Sequence, residues 1–252
     1  MCTLIVLYRP THAWPVLIAA NRDEMLDRPW LPPGRHWADR PNVVAGLDEL
    51  GGGSWFGLND DGVVAGIMNR MGTLGPAADK RSRGELVLEA LDHADAETAA
   101  DALSHIDPAA YRAFNLVIAD SSRVYWLRHT EAREPGRVEI TALAPGVSML
   151  TAFDVNDESS ARIRRYLPQA RAAASPDPER DDWSAWEQLL ASRDADADAE
   201  REGAMNVVTE VGFGTVSSAL LALPARERFN VKPRLRFAAG RPDQVEFRDV
   251  AL

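Results

Sequence analysis

The order of strand-like and helix-like segments constrains the fold of this chain more than any other feature of its sequence. Short runs rich in β-branched and aromatic residues dominate the first third, amphipathic helical patterns follow, and strands, helices and strands come after them. A fold built from βαβ units would alternate single strands with single helices, whereas this order favours segregated layers of sheet and helix. We therefore predict an α+β fold.

The predicted strands are short runs bounded by turn-forming residues. They cover Thr3–Tyr8, Val16–Ala20, Val43–Gly46, Ser54–Asn59, Val63–Asn69, Phe114–Ala119, Val124–Arg128, Arg137–Leu143, Ser217–Leu223, Arg228–Val231, Arg234–Phe237 and Val245–Val250. The predicted helices cover the segment that follows the capping-box spacing Ser82–Glu85 and the ranges Ala96–Ile106, Asp157–Ala174 and Asp181–Ser192. The proline-rich stretch Arg28–Pro41 is predicted to be a loop, and Asp61-Gly62 predicts a tight hairpin turn.

Charge, cysteine count and hydropathy narrow the classes of function. The 252 residues carry a formal net charge of −10, which argues against a nucleic-acid partner because such proteins present a basic surface. One cysteine excludes an internal disulfide framework and favours a reducing compartment. The N-terminus lacks a signal-peptide pattern, and no apolar run reaches the roughly 18 residues of a membrane helix. We expect a cytoplasmic protein, without integral membrane association, that acts on or binds a small molecule; its oligomeric state stays open.

The single cysteine follows the initiator methionine as residue 2. Removal of Met1 would give Cys2 both a thiol and a free α-amine. Such an amine has a reference pKa of about 7.7–8.0, so near neutral pH it can take the thiol proton and generate the reactive thiolate. The position of Cys2 therefore indicates a nucleophile, and the alternative is a small buried residue that opens a strand.

Four polar residues, Asn21-Arg22-Asp23-Glu24, follow the second predicted strand. If the first two strands form a hairpin, these residues return close to Cys2. Asp23 could then hold the α-ammonium group, and Arg22 could stabilise a thiolate or an anionic substrate. The alternative for this segment is a solvated turn.

Other candidate motifs are weaker. Asn69 ends a predicted strand, where a side-chain amide can donate to a developing oxyanion, and the alternative is a turn-forming asparagine. The glycine-rich segment Gly51–Gly57 matches neither a phosphate loop nor a dinucleotide fingerprint, so nucleotide binding is not expected. The five histidines show no metal-ligand spacing, and no metal site is expected. A Ser-His-Asp triad stays open, although no nucleophile-elbow motif marks one.

Together these motifs resemble the NRDE family, the transport-and-Golgi-organisation group of proteins. The resemblance rests on Met1-Cys2-Thr3 and on the Asn21–Glu24 segment, and it extends along most of the chain. Further similar segments are Gly52–Gly57, Asn69-Arg70, Ser82–Gly84, Phe114–Leu116 and Ser217-Ser218. The resemblance implies one domain over residues 1–252 with the four-layer αββα sandwich of N-terminal nucleophile hydrolases, which carry the nucleophile on the first strand.

Within that superfamily the chain is similar to the choloylglycine and penicillin V acylases. The segment Gly57–Asn69 resembles their glycine-asparagine hairpin, whose last asparagine serves the oxyanion hole. Arg22 could substitute for an arginine that they carry shortly before the aspartate, and Arg162 resembles their late active-site arginine. The resemblance thus implies catalytic roles for Cys2, Arg22, Asp23 and Asn69, and substrate-binding roles for Asn21 and Arg162.

Two functions are consistent with this resemblance. The first is an amidohydrolase that acts on a non-peptide C–N bond through Cys2, without a cofactor. The pattern departs from the acylases at Ala152, where they carry a second active-site asparagine. That departure, with the roles proposed for animal members of the family, favours the second function, a non-catalytic protein that binds or carries haem or an acyl lipid. A scaffold with an inert Cys2 is the third interpretation.

Overall fold

A computed structural model describes residues 2–130, 137–197, 199 and 203–252 of the chain. Within these residues there are two antiparallel sheets and four α-helices. The chain divides into two compact units, Met1–Arg28 with Pro145–Ala251 and Pro29–Ala144 with Leu252. None of the helices in the described ranges is long and apolar enough to cross a membrane.

The described residues of the first unit form a six-stranded sheet and two helices. With strands numbered in chain order, their side-by-side order is β10 (Gly146–Leu150), β1 (Thr3–Tyr8), β2 (Val16–Met25), β11 (Phe213–Leu223), β12 (Arg234–Ala238) and β13 (Arg248–Asp249). Helices α3 (Ala161–Ala172) and α4 (Ser184–Ala191) pack on one face of this sheet. The core between them includes Ile5, Leu17 and Leu220 from the sheet and Tyr166 and Trp186 from the helices. The first strand of the chain is therefore an interior strand, paired on both sides.

The described residues of the second unit form a seven-stranded meander with two helices. Its strands, adjacent in chain order, are β3 (Trp30–Gly34), β4 (Val43–Asp48), β5 (Phe56–Asn59), β6 (Val64–Asn69), β7 (Phe114–Ala119), β8 (Val124–His129) and β9 (Glu139–Ala142). Helices α1 (Gly84–Leu91) and α2 (Ala96–Ser104) connect β6 to β7, with a short 3₁₀ turn at Pro108–Ala110. Leu86 and Leu91 of α1 pack with Val43, Phe114 and Leu116 of the sheet.

Two glycines show why this unit needs residues without a side chain. A Cβ at Gly53 would lie 2.3 Å from the carbonyl carbon of Gly84, and the Ser54 amide donates to the Gly84 carbonyl at 3.0 Å. Gly53 therefore lets the entry to β5 pack directly against the start of α1. Gly62, with φ of 85°, closes the turn between β5 and β6, so the hairpin predicted from Asp61-Gly62 is confirmed.

The prediction of an α+β fold with segregated strands and helices is confirmed. The predicted loop Arg28–Pro41 is wrong in part, because it contains β3. This edge strand tolerates its two prolines since its ladder is interrupted between Leu31 and Gly34. The predicted strand Arg228–Val231 is also wrong: the Val231 amide donates to the Arg228 carbonyl at 2.9 Å, which closes a turn.

Helix α1 begins at Gly84, where the capping-box spacing predicted a helix start. Its N-cap is Arg83 rather than Ser82, so the capping box itself is wrong. The Glu85 side chain pairs with Arg81, with Nε···Oε1 at 2.7 Å, instead of reaching back to the cap.

Strands β2 and β11 are longer than predicted by five and four residues, and β10 was missed along with β3. Strand β2 continues to Met25, so Asn21–Glu24 lie within a strand and the solvated turn is wrong. Strand β11 begins at Phe213 rather than at Ser217, because it pairs with β2 along its length. Strand β10, which follows Pro145, was not predicted, and it pairs with the free side of β1. These additions place the polar end of β2 between β1 and β11.

Candidate active site

Cys2 lies at the start of β1, an interior strand. Thr3 pairs with Asn21 of β2, so Cys2 is one residue beyond the last ladder pair and level with Arg22. The residue as a whole is half-buried, and its thiol donates a weak hydrogen bond to the backbone carbonyl of Asp23, with an Sγ···O distance of 3.9 Å. The hairpin of the first two strands thus brings Cys2 next to this polar segment.

The Asp23 carboxylate is buried, and each of its oxygens accepts a hydrogen bond. Thr215 Oγ1 on β11 donates to Oδ1 at 2.7 Å. Arg162 Nη1 on α3 donates to Oδ2 at 2.9 Å. The side chains of Arg162 and Asp23 are only 1% and 0% exposed, so water does not screen this ion pair. The carboxylate is consequently held in one orientation by a charged donor and a neutral donor.

Arg162 reaches Asp23 from the first turn of α3. The hydroxyl of Ser160 accepts from the Ile163 amide at 3.4 Å and caps the helix beside the sheet. The Arg162 guanidinium also donates to the Thr3 hydroxyl. One side chain therefore ties β1 to β2 immediately after Cys2, and its predicted contact with substrate stays a prediction.

A β-bulge in β11 places its polar side chains on opposite faces of the sheet. Thr215 pairs with Asp23 and Ser217 pairs with Arg22, because Val216 is an extra residue between them. Side chains alternate along a strand, so Asp23 and Thr215 share the face on which the helices pack. A row of three residues from neighbouring strands then lies on the other face: Cys2, Arg22 and Ser217.

The adjacent serines of β11 have different surroundings. Ser218 Oγ donates to Asn21 Oδ1 at 2.6 Å, and Asn21 Nδ2 donates to the carbonyls of Leu190 at 3.0 Å and Met205 at 2.9 Å. Ser217 is equally buried, but its hydroxyl has no hydrogen-bond partner within the described ranges. Asn21 therefore cross-links β2 to α4 and to a later loop, and its predicted contact with substrate stays a prediction.

Burial raises the pKa of the Cys2 thiol above its ordinary value. The Asp23 carboxylate acts in the same direction, because a nearby negative charge disfavours the thiolate, and the positive charge of Arg22 acts in the opposite direction. Free cysteine, with a pKa of about 8.5, is already mostly protonated at neutral pH. Burial therefore favours the thiol form of Cys2, and a base beside it would be needed to generate the thiolate.

Asn69 lies in the second unit at the end of β6. It pairs with Phe114 and is half-buried. The next residue, Arg70, donates to Asn115 Oδ1 at 2.7 Å, and Trp126 Nε1 donates to the same oxygen at 3.1 Å. Asn69 thus has the strand-end position that an oxyanion donor needs, and the oxyanion role itself stays a prediction.

Thr215 is the residue of this site that the sequence reasoning missed. Its hydroxyl accepts from the Val207 amide at 2.9 Å, and its own amide donates to the Val207 carbonyl at 2.9 Å. The preceding residue is Gly214, where a Cβ would lie 2.7 Å from the Val207 oxygen. A glycine directly before a polar strand residue was the available signal, because glycine permits such close approach of two backbones.

A family model and several animal proteins match this chain. The model described as Transport and Golgi organisation 2 matches residues 1–227. The Transport and Golgi organization protein 2 homolog of Homo sapiens is 34% identical over 136 residues, which cover 48% of this chain and 46% of that protein. The homolog of Bos taurus is 32% identical over 165 residues, which cover 58% and 55%. The chain spans about half the length of the curated relatives that it matches.

Solved structures of hydrolases share the fold. The N-acylethanolamine-hydrolyzing acid amidase ortholog of Caenorhabditis elegans aligns with 87% of this chain and 92% of its own, at a TM-score of 0.58 and 13% identity. A variant of the conjugated bile acid hydrolase of Clostridium perfringens aligns with 100% of this chain and 97% of its own, at a TM-score of 0.54 and 12% identity. The predicted fold, of N-terminal nucleophile hydrolase type, is confirmed. Identities this low speak for the fold alone.

Proposed function

This chain belongs to the Transport and Golgi organisation 2 family, and we propose that it is an amidohydrolase whose nucleophile is Cys2 and whose substrate has a non-peptide C–N bond. The observation that carries the proposal is the place of Cys2, at the start of an interior strand, level with Arg22 and against the Asp23 backbone. The fold adds support, because two structures that share it are, by name, an acid amidase and a conjugated bile acid hydrolase.

In the proposed reaction, removal of Met1 gives Cys2 a free α-amine. This amine takes the thiol proton while the sulfur attacks the substrate carbonyl, and Asn69 with backbone N–H groups stabilises the oxyanion. The resulting ammonium group gives its proton to the leaving amine as the C–N bond breaks, which leaves a thioester on Cys2. The amine then takes a proton from water, which hydrolyses the thioester and releases the acid.

The charged groups around Cys2 suggest a role for the α-amine, for Asp23 and for Arg22 in the proposed reaction. Because burial raises the pKa of the thiol, the α-amine is needed as a base. Asp23 would hold the ammonium group that forms when the amine takes the proton. Arg22 lowers the pKa of the same thiol, so it would stabilise the thiolate or a negative charge on the substrate.

Two preparations of the same chain test the proposal. In one, a site-specific protease leaves Cys2 as the first residue; in the other, an uncleaved N-terminal extension blocks the α-amine. We expect p-nitrophenyl hexanoate to add one hexanoyl group to Cys2 in the first preparation only, as read by intact mass, and Cys2→Ala to show none. Equal acylation of both preparations, or of the alanine variant, would contradict the mechanism. Hydrolysis of a panel of N-acyl amides then identifies the leaving amine.

A protein that binds an acyl lipid without catalysis is the second candidate, and Ala152 is the observation that favours it. Ala152 is buried just after β10 and offers no side-chain donor to an oxyanion. For haem, the other ligand that the family resemblance implies, Cys2 would supply the thiolate that binds the iron. Wild-type affinity of Cys2→Ala for a fluorescent fatty acid, with no acyl adduct on the unmodified chain, would decide for this candidate.

A further inference from the structure

Asp23 has a neutral hydrogen-bond donor, Thr215, that the proposed reaction does not use. We propose that Thr215 is a positioning residue: it fixes the Asp23 carboxylate in the orientation that holds the α-ammonium group of Cys2. This inference rests on the proposed function, and it assigns Thr215 a role through Asp23 rather than a contact with substrate.

The hydrogen bonds around the Thr215 hydroxyl direct its proton to the Asp23 carboxylate. The side chain is fully buried. Its oxygen accepts from the Val207 amide at 2.9 Å, so the single hydroxyl proton is directed to Asp23 Oδ1 at 2.7 Å. The Thr215 amide returns a hydrogen bond to the Val207 carbonyl at 2.9 Å. Backbone and side chain are therefore both held against the Val207 segment, and the donor cannot easily turn away from the carboxylate.

Two local features of β11 create this geometry. The bulge at Val216 lets Thr215 stay level with Asp23 while Ser217 faces the other side of the sheet. Gly214 allows the Val207 carbonyl to approach to 2.7 Å from where a Cβ would be, so a larger residue there would displace the segment that orients the hydroxyl. The bulge and Gly214 together position the side chain of Thr215.

Arg162 and Thr215, two of the groups that contact Asp23, have separable effects on it. Arg162 supplies the positive charge that compensates the buried carboxylate, through Oδ2. Thr215 supplies no charge, and it restrains the other oxygen against rotation about the Cβ–Cγ bond. Loss of the Thr215 hydroxyl therefore disturbs the orientation of the carboxylate and keeps its charge compensated, which makes it a clean test of positioning.

The test uses a matched pair of variants, each with Cys2 as the first residue. Thr215→Val keeps the size and branching of the side chain and removes the hydroxyl, whereas Thr215→Ser keeps the hydroxyl. We expect the rate constant for acylation of Cys2 by p-nitrophenyl hexanoate to fall about ten- to hundredfold in T215V, as for the loss of a hydrogen bond to a charged group. In T215S it should stay within about twofold of the parent. If T215V fails to fold, Thr215→Ala takes its place.

A double-mutant cycle distinguishes positioning from a merely structural role. In an Asp23→Asn background, T215V should cause no further slowing, because the residue acts through the carboxylate. Equal slowing by T215V in both backgrounds, or a parental rate in T215V, would overturn the inference. Acylation that persists in Cys2→Ala would remove the proposed function and this inference together. Absence of acylation in that variant, with a parental rate in T215V, would remove this inference alone.

Discussion

The adjacent residues Ser217 and Ser218 form a matched pair for measuring how much one hydrogen bond contributes to stability. Both serines lie in β11 and are 1% exposed. Ser218→Ala removes the donor to Asn21 Oδ1, whereas Ser217→Ala removes a hydroxyl that has no partner in the part of the chain that the structure describes. The two substitutions delete the same oxygen from the same strand, so their strand propensities and lost volumes are alike.

The two variants should differ clearly in stability. Ser218→Ala leaves the buried Asn21 oxygen without a donor, which costs about 1–3 kcal/mol of the free energy of unfolding. Ser217→Ala removes a buried polar group that makes no hydrogen bond to the described residues. The free energy of unfolding of this variant should therefore lie within about 0.5 kcal/mol of the parent or above it. We therefore expect a difference of at least about 1 kcal/mol between them, with the Ser217 variant the more stable.

Urea unfolding followed by tryptophan fluorescence measures this difference, since the chain has seven tryptophans. The slopes of the two transitions should agree, so that midpoints report stability alone. If Ser217→Ala costs as much as Ser218→Ala, the Ser217 hydroxyl has a partner after all. The assignment of a row on the Cys2 face with an unpaired hydroxyl would then be refuted.

Three further outcomes follow from the geometry. Arg162→Met should lower the free energy of unfolding by about 3–5 kcal/mol, because it removes the buried guanidinium that pairs with Asp23. Asp23→Asn in the same chain should restore at least half of this loss in urea unfolding. Gly53→Ala should lower the thermal midpoint clearly more than Gly51→Ala, since its Cβ would meet backbone at 2.3 Å rather than a serine hydroxyl at 3.1 Å. In the chain that keeps Met1, iodoacetamide should alkylate Cys2 at pH 8 more slowly than a cysteine peptide, as read by mass. Burial raises the pKa of this thiol in the folded state. The contribution of the protonated thiol to the free energy of unfolding is therefore present below about pH 8.5, and it is lost as the pH rises through the pKa of the folded state. Faster alkylation than the peptide would contradict the burial argument.

Local patterns predicted the apolar strands but not their polar extensions. Strand β1 was predicted at its true bounds because its residues form one apolar run between turn signals. The predicted second strand ends at Ala20, and a solvated turn stayed open for the next residues, because polar residues at a strand end usually meet water. In the structure these residues are buried by partners far along the chain: Asn21 bonds to Leu190, and Asp23 bonds to Arg162. Such pairings arise from tertiary contact, which overrides local propensity.

The candidate site was only partly predictable from the sequence, because some of its contacts are tertiary contacts that local patterns do not encode. A hairpin of the first two strands is enough to bring Cys2 near Asp23, so the sequence alone justified that pairing. Arg162 came from family resemblance rather than from any spacing. Thr215 depends on the register of β2 against β11 and on the bulge at Val216, and neither is encoded in a local pattern.

The pairing of β2 with β11 also has a consequence for the order of events during synthesis. Asp23 and Thr215 are 192 residues apart in the chain, and the other neighbour of β1, the strand β10, is likewise made late. At about 5–20 residues per second, a ribosome needs about 10–40 s to pass from one to the other. Until β10 is made, the first hairpin has no partner strand on either edge, and its β2 edge stays without one until β11 is made. The hairpin made first thus gains both of its partner strands only after most of the chain has been made.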